Sequence, residues 1–462
     1  MQDLLTEKVC LRSWLTRNVI LRLSQWVQSE TMLPNLAELN RSQWSSPREL
    51  GLWQWQRLQE TLQSAYANIP FYRRRLDAHR IDPWKMEPED FQRVPTLSKQ
   101  DVRDNFEQLL WRAGGDRLRV SDTSGSTGAP LRFAHGRTYS SRHEAGQWRA
   151  RGWFGVSPGD AVLAIWGRPV NNPKDKKILE FKSYLNHYLH VSAFDIDRPF
   201  LIELARRLRS FRPRLVYGYP SGIYELAKVA QEENLRLDHL GIRMVGCTAE
   251  SLYEFQRELM CSVFGAPVSN IYGCGEFGSF AHQCPRGMMH IASENVVVEF
   301  LNDGKAAEPG EPGEVTVTSL QNPGMPLIRY VVGDVGIPLA ESCPCGRSLP
   351  TMDIKAGKIG QMVRTDSGKI FSTELFDYIN RNLMLRELKG VEQFLVVQNK
   401  LDSFTVEFIQ GPSQVEESKS AFEAGMREVL GGHVQVAFQP VDAIVRHSGG
   451  KMGYFESRIK DG

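Results

Sequence analysis

Apolar strand-like runs that alternate with amphipathic segments occupy the middle of the chain, and this alternation limits the fold more than any other feature. AVLAIWG (161–167), RLVYG (214–218), IRMVG (242–246) and VSNIYG (268–273) are short apolar runs bounded by turn residues, as buried strands are. Residues 198–210, SGIYELAKVAQEEN (221–234) and SLYEFQRELMCSVF (251–264) place apolar residues at helical spacing. In the last of these, Ser251 with Glu254 has the spacing of a capping box. Strands joined through helices require crossovers of one hand and therefore a parallel sheet. The carboxyl ends of the strands then share one edge, where open α/β sheets bind ligands. GYPSG (218–222), GCTAE (246–250) and YGCGE (272–276) fall at those ends, Gly-rich, polar and acidic like the rim of a crevice.

The flanking regions differ in style. Residues 51–110 read as mostly helical, broken at NIPFY (68–72) and DPWK (82–85). After 290, ENVVVEFLNDG, GEVTVTS and LIRYVVGD are short strands joined by Gly/Pro/Asn turns, an antiparallel patch. Beyond about 357, VEQFLVVQ, FTVEFIQ, a helix near 414–430 and HVQVAFQP make a small α+β unit. The expected fold is α/β. A large multi-layer domain spans 1–356, with a helical N-terminal extension, parallel sheets and the antiparallel patch. A small mobile α+β lid spans 357–462.

With 462 residues, 41% of them apolar, the chain can bury more than one core. A net charge of +2 with interspersed signs argues against a nucleic-acid partner. No apolar run approaches a membrane span. Seven cysteines without a secretory signal point to a reducing, cytoplasmic location. Near the N-terminus, Trp14, Leu15, Val19, Leu23 and Trp26 recur at near-helical spacing among Arg12, Arg17 and Arg22. The plain reading is a helix packed on the body of the protein. The alternative is a peripheral membrane or partner-binding helix.

One loop carries chemistry of its own. SDTSGSTGAPLRF (121–133) gathers hydroxyls and glycines, a composition whose free N–H groups and hydroxyls cradle phosphate oxygens. It is not a Walker A loop, because Ala129-Pro130 stands where Lys-Ser/Thr would follow the last glycine. The charge that neutralises the phosphates must come from elsewhere. TSGSTGAP resembles the phosphate loop of the adenylate-forming enzymes, which join a carboxylate to AMP and then to an acceptor. YGCGE is similar to that superfamily's aromatic-Gly-x-x-Glu motif and RYVVGD (329–334) to its Tyr…Gly-Asp motif, in the family order. NIPFYRRRL, CPRGMMH followed by ENVVVEF, and CPCGR (343–347) resemble the phenylacetate–coenzyme A ligase branch. MVRTDSGKIF (362–371) is nearest to its capsule-biosynthesis-type relatives.

The resemblance implies roles residue by residue. Ser124, Gly125, Ser126, Thr127 and Gly128 would grip phosphate. Tyr272 and Gly273 would stack adenine, Gly246 would line the nucleotide, and Asp334 would accept both ribose hydroxyls, with Arg329 in support. Glu276 would hold Mg²⁺, a hard cation that takes carboxylate and phosphate oxygens. Lys451, after Gly449-Gly450, would supply the missing catalytic charge to the carboxylate and α-phosphate, with Lys369 as its rival. Where relatives carry a Gly-Arg-x-Asp-Asp hinge, this chain has GKIGQM (357–362), so Lys358 replaces the arginine and lacks its planar fork. Cys284, His290, Cys343 and Cys345 suit a tetrahedral structural zinc, with His282 as the rival imidazole.

The activity implied is ATP-dependent adenylation of a carboxylic acid, with loss of pyrophosphate. Transfer to a thiol of coenzyme A or a carrier protein would follow. The alternatives are an amine or sugar acceptor, or a degenerate nucleotide-binding protein.

Overall fold

The computed structural model describes residues 11–23, 31–113, 117–122, 131–166, 183–193, 197–358, 362–365, 370–372, 375, 376, 379, 383, 388–442, 444 and 455–459. A short hairpin of β1 (Arg119–Asp122) and β2 (Arg132–His135) brackets the hydroxyl-rich loop. Twelve strands then form one sheet. They are β3 (Val162–Ile165), β4 (Tyr188–Val191), β5 (Leu215–Gly218), β6 (Met244–Thr248), β7 (Val268–Cys274), β8 (Gly278–Gln283), β9 (Met289–Ile291), β10 (Val296–Asn302), β11 (Lys305–Ala306), β12 (Gly313–Ser319), β13 (Tyr330–Leu339) and β14 (Thr351–Lys358). Their order across the sheet is β11-β10-β12-β13-β14-β9-β8-β7-β6-β5-β3-β4.

The parallel strands are β4, β3, β5, β6 and β7. Every strand expected between 161 and 273 forms, and β4 is an addition: YLHV is too short and polar to stand out in the sequence. The chain steps from β3 outward to β4, then returns to the other side of β3 as β5. The topological switch point therefore lies between the carboxyl ends of β3 and β5. The antiparallel patch is not a separate sheet. β8 turns back along β7 and pairs with β9, which pairs with β14, so both halves share one hydrogen-bonded surface.

Side-chain alternation sorts the core. Leu163, Ile165, Val216 and Val245 face the helices Arg198–Phe211, Pro220–Glu232 and Glu254–Phe264. Val162, Leu215, Met244 and Ile271 face the opposite way, toward the layer that holds Ala145 and Trp148 of helix Arg137–Gly152 and Leu39 of helix Met32–Ser42. The third crossover helix starts later than the sequence suggested. It begins at Glu254 with Tyr253 as N-cap, and Gln256 Oε1 accepts from the Tyr253 N–H at 3.1 Å, so Ser251 lies in the preceding loop. It stops at Gly265, whose φ of 60° suits a residue without Cβ.

Toward the C-terminus lie a hairpin of β15 (Met362–Arg364) and β16 (Ile370–Ser372) and a four-stranded sheet ordered β19-β18-β17-β20. The sheet consists of β17 (Val391–Lys400), β18 (Ser403–Gln410), β19 (Gln435–Pro440) and β20 (Phe455–Ser457). Helix Val415–Leu430 covers it through Phe422, Met426 and Leu430. Tyr224 of the large sheet's helices joins this core, and its hydroxyl donates to Glu428 Oε1 at 3.2 Å. The expected boundary after residue 356 falls inside β14, which runs to Lys358.

Candidate active site and metal centre

The carboxyl ends of the parallel strands lie along one edge of the sheet. Gly218, at the end of β5, has φ +150°, and a Cβ there would lie 1.9 Å from the Ile165 carbonyl oxygen, so a side chain is excluded at the switch point. Just beyond it, Trp166 stacks on Tyr219 with centroids 4.5 Å apart, an aromatic platform over the switch point. The GCTAE segment is tied to GYPSG, because Glu250 Oε2 accepts from the Ser221 N–H at 3.2 Å. Gly246 sits inside β6, where a Cβ would press on Tyr217, Met244 and Ile271 at 3.2–3.3 Å.

The β7–β8 hairpin explains the glycine of the YGCGE motif. A Cβ on Gly273 would lie 2.1 Å from the Gly278 carbonyl oxygen. The turn brings Glu276 inward, buried at 8% exposure, and Tyr330 donates its hydroxyl to Glu276 Oε1 at 2.6 Å. On the neighbouring position Tyr272 donates to Asp334 Oδ2 at 2.9 Å, with its ring edge-on to Phe280. Burial, then the adjacent carboxylates, pushes both phenols well above their ordinary range, so they stay O–H donors. Two carboxylates are thus oriented by two tyrosines from β7 and β13. Register sets the Cα of Lys358 opposite Asp334. Tyr330 was not among the expected site residues, although it stands in the RYVVGD motif; its contact spans 54 positions of sequence.

Arg329 does something different from what its neighbourhood in sequence implied. Its φ is +50°, and its guanidinium turns to Glu299 of β10, with Nε and Nη2 each 2.9 Å from a carboxylate oxygen. Nη1 donates to the carbonyls of Gln92 and Val94. The side chain, 3% exposed, clamps β13 to β10 and to the turn Pro88–Arg93, with its donors committed away from Asp334. Ser124–Gly128, Lys369 and Lys451 lie outside the described residues.

A narrow cavity is lined by Gln147, Arg151, Tyr217, Ser279 and His282. His143 Nε2 accepts from the Ser279 N–H at 2.9 Å, which leaves the proton on Nδ1. Burial holds His143 neutral, its pKa pushed down to about 4, and pushes His282 down to about 3. Neither ring nitrogen of His282 has a hydrogen-bond partner.

The metal-ligand quartet assembles across a long gap in sequence. Cys284 follows β8, His290 lies in β9, and the turn holding Cys343 and Cys345 precedes β14; pairing of His290 with Thr351 brings the turn onto β9. All four ligand atoms lie within 4.8 Å of one another. Cys284 Sγ and Cys343 Sγ are 3.6 Å apart, and Cys345 Sγ is 3.3 Å from His290 Nε2. A tetrahedral zinc with Zn–S of about 2.3 Å and Zn–N of about 2.1 Å requires edges of roughly 3.8 and 3.6 Å, close to these values. His290 Nδ1 is 3.2 Å from the Leu349 carbonyl, a partner for its proton that leaves Nε2 free to ligate. The donor set fits zinc. His282 is not among these ligands; the Trp153 ring meets both imidazoles edge-on, at 6.4 Å from His282 and 5.6 Å from His290.

No family model matches the chain. It is 25% identical to a phenylacetate-coenzyme A ligase of Thermus thermophilus, over 71% of this chain and 75% of that one. It is 24% identical to protein CapK of Staphylococcus aureus, over 88% of each. Its fold is similar to that of 2-hydroxyisobutyryl-CoA ligase in complex with 2-HIB-AMP and CoA in the thioesterification state, with a TM-score of 0.61 at 20% identity, covering 90% of this chain and 91% of that one. In sequence the chain is similar to phenylacetate-coenzyme A ligases and to CapK, and in fold to an acyl-CoA ligase.

Proposed function

We propose that the protein joins a carboxylic acid to AMP at the expense of ATP, releasing pyrophosphate, and then passes the acyl group to the thiol of coenzyme A. The observation that carries this reading is the pair of oriented carboxylates, Asp334 held by Tyr272 and Glu276 held by Tyr330, at the ligand-binding edge of a parallel sheet. Asp334 accepts the ribose hydroxyls with Tyr272 beside the base, and Lys358 lies next to it in register. Glu276 would hold Mg²⁺, which would supply charge neutralisation at the phosphates. Ser124–Gly128 grip the phosphates, and Lys451 stabilises charge as the carboxylate attacks the α-phosphate. The acid's acyl group enters beside the Trp166–Tyr219 platform. Residues 357–462 act as a lid on 1–356 that rotates between the two half-reactions. The Cys284–His290–Cys343–Cys345 quartet would hold a zinc that locks the β9–β14 junction.

Carboxylate-dependent ATP–pyrophosphate exchange, with pools of aryl, fatty, amino and hydroxy acids, tests the first half-reaction. Exchange that appears with one pool and vanishes in Lys451→Ala supports it. Protein that binds ATP yet exchanges with no pool counts against it. Acyl-CoA formation from the supplied acyl-adenylate then tests the acceptor.

A further inference from the structure

The helical segment 11–23 is docked with the wrong face inward for an ordinary surface helix. It seats Ser13, 5% exposed, and Thr16, 1% exposed, against the body of the protein. Trp14 at 51%, Leu15 at 45%, Val19 at 37% and Leu23 at 56% face outward. The segment winds as an α-helix over Leu11–Leu15 and as a π-helix over Thr16–Ile20, and these four side chains stay exposed while Ser13 and Thr16 are buried. A helix stabilised by packing shows the reverse arrangement.

The docking is specific. Gly159, with φ +93°, lets the helix backbone approach so closely that a Cβ there would lie 2.8 Å from the Ser13 carbonyl oxygen. Arg17 Nε donates to the Pro158 carbonyl at 2.8 Å, and its guanidinium pairs with Asp160. The outward direction of Trp14 and Leu15 is therefore set by the body.

We infer that this face binds an anionic lipid surface. Segment 11–23 contains three arginines and no carboxylate. Arg17 is paired with Asp160, which leaves Arg12 and Arg22 as its net charge; Arg22 is exposed among the apolar side chains. Arg12 lies over the ring of Tyr184 at 4.4 Å, and Tyr184 is itself 65% exposed, so a second aromatic extends the patch. Trp and Tyr with leucines and flanking arginines are the composition of helices that lie in the membrane interface, with rings at headgroup level and guanidiniums on phosphates. No described helix is long and apolar enough to cross a membrane, so the attachment is peripheral. It would hold the ligase beside a membrane without touching its crevice.

Flotation of the full chain with phosphatidylcholine vesicles, with and without phosphatidylglycerol, tests this. Binding is expected to the anionic vesicles, to weaken with salt, and to fall about tenfold for each of Trp14→Ser and Leu23→Ser. Arg22→Glu should cost at least roughly fivefold at low salt. These side chains are exposed, so circular dichroism and melting should stay unchanged. The inference is overturned if the protein ignores anionic vesicles, or if Trp14→Ser/Leu23→Ser binds them as tightly. Wild-type protein that ignores vesicles but self-associates through this face, with the double variant monomeric, also overturns it and assigns the face to a second copy of the chain.

Discussion

Replacing Arg329 by methionine separates a structural clamp from a nucleotide ligand. The guanidinium donates four hydrogen bonds, two to Glu299 and two to main-chain carbonyls, at 3% exposure against 15% for its partner. An exposed ion pair is worth about 0.2–1 kcal/mol. Removing one partner of a buried pair costs about 3–5 kcal/mol, because the surviving charge is left without a counter-ion. Arg329→Met should therefore lower the stability of the large sheet by an amount in the upper range. Burial already raises the pKa of Glu299, and Arg329 pulls it back down. Without the arginine it rises further. A carboxyl whose folded pKa exceeds its unfolded value is best tolerated below the unfolded value, and stability is lost as pH climbs through the folded one. The deficit of Arg329→Met should thus be largest at pH 7 and shrink toward pH 4.5. Arg329→Met/Glu299→Leu, which removes both charges, should recover most of the loss. Urea unfolding of the three proteins at pH 7 and pH 5 measures this, with the KM for ATP of the folded single variant expected to stay near wild type. A single variant of unchanged stability with a raised KM for ATP would refute the clamp and return Arg329 to the nucleotide.

Further expectations concern the site and its supports. Tyr330→Phe removes one hydrogen bond to the Glu276 carboxylate, worth roughly 1.5–3 kcal/mol; kcat/KM for pyrophosphate exchange should fall about 10–100-fold, with a higher Mg²⁺ requirement, and an unchanged Mg²⁺ titration would count against Glu276 as the ligand. Protein purified without chelator should carry about one zinc per chain, and Cys343→Ser should lose it and melt earlier; metal-free wild type of undiminished stability would argue against the centre. His143 and His282, held neutral with pKa values of about 4 and 3, bind protons more readily when unfolded. Their contribution is present above the unfolded pKa and is lost as pH falls through the folded values, at most roughly a few kcal/mol each. His282→Phe should flatten stability against pH between about 6.5 and 4, a slope that chemical denaturation at stepped pH resolves.

Part of the site's geometry was legible in sequence because it is local. An aromatic-Gly-x-x-Glu turn and a Gly-Asp strand are short motifs whose backbone demands show in their own residues. Gly273 is needed where β7 and β8 nearly touch, and Gly218 where β5 passes the Ile165 carbonyl. What stayed hidden involves pairs distant in sequence. Nothing near Glu276 announces that Tyr330 will donate to it. Nothing near Arg329 announces that its guanidinium will pair with Glu299, 30 positions away. The helix start at Glu254 rather than Ser251 was decided by Tyr253 and Gln256, since several residues compete for one cap and packing chooses among them.

By itself the sequence determined the alternation that forces a parallel sheet and a set of four side chains compatible with zinc. Only the tertiary structure decided that the antiparallel strands continue that sheet through β8, β9 and β14. Only there does Cys284 meet Cys343, 59 residues away, and does helix 11–23 turn Trp14 outward. The reason is physical. Periodicity records which side of an element is apolar, but which surface that side meets is chosen when strand register and close backbone approaches are satisfied together.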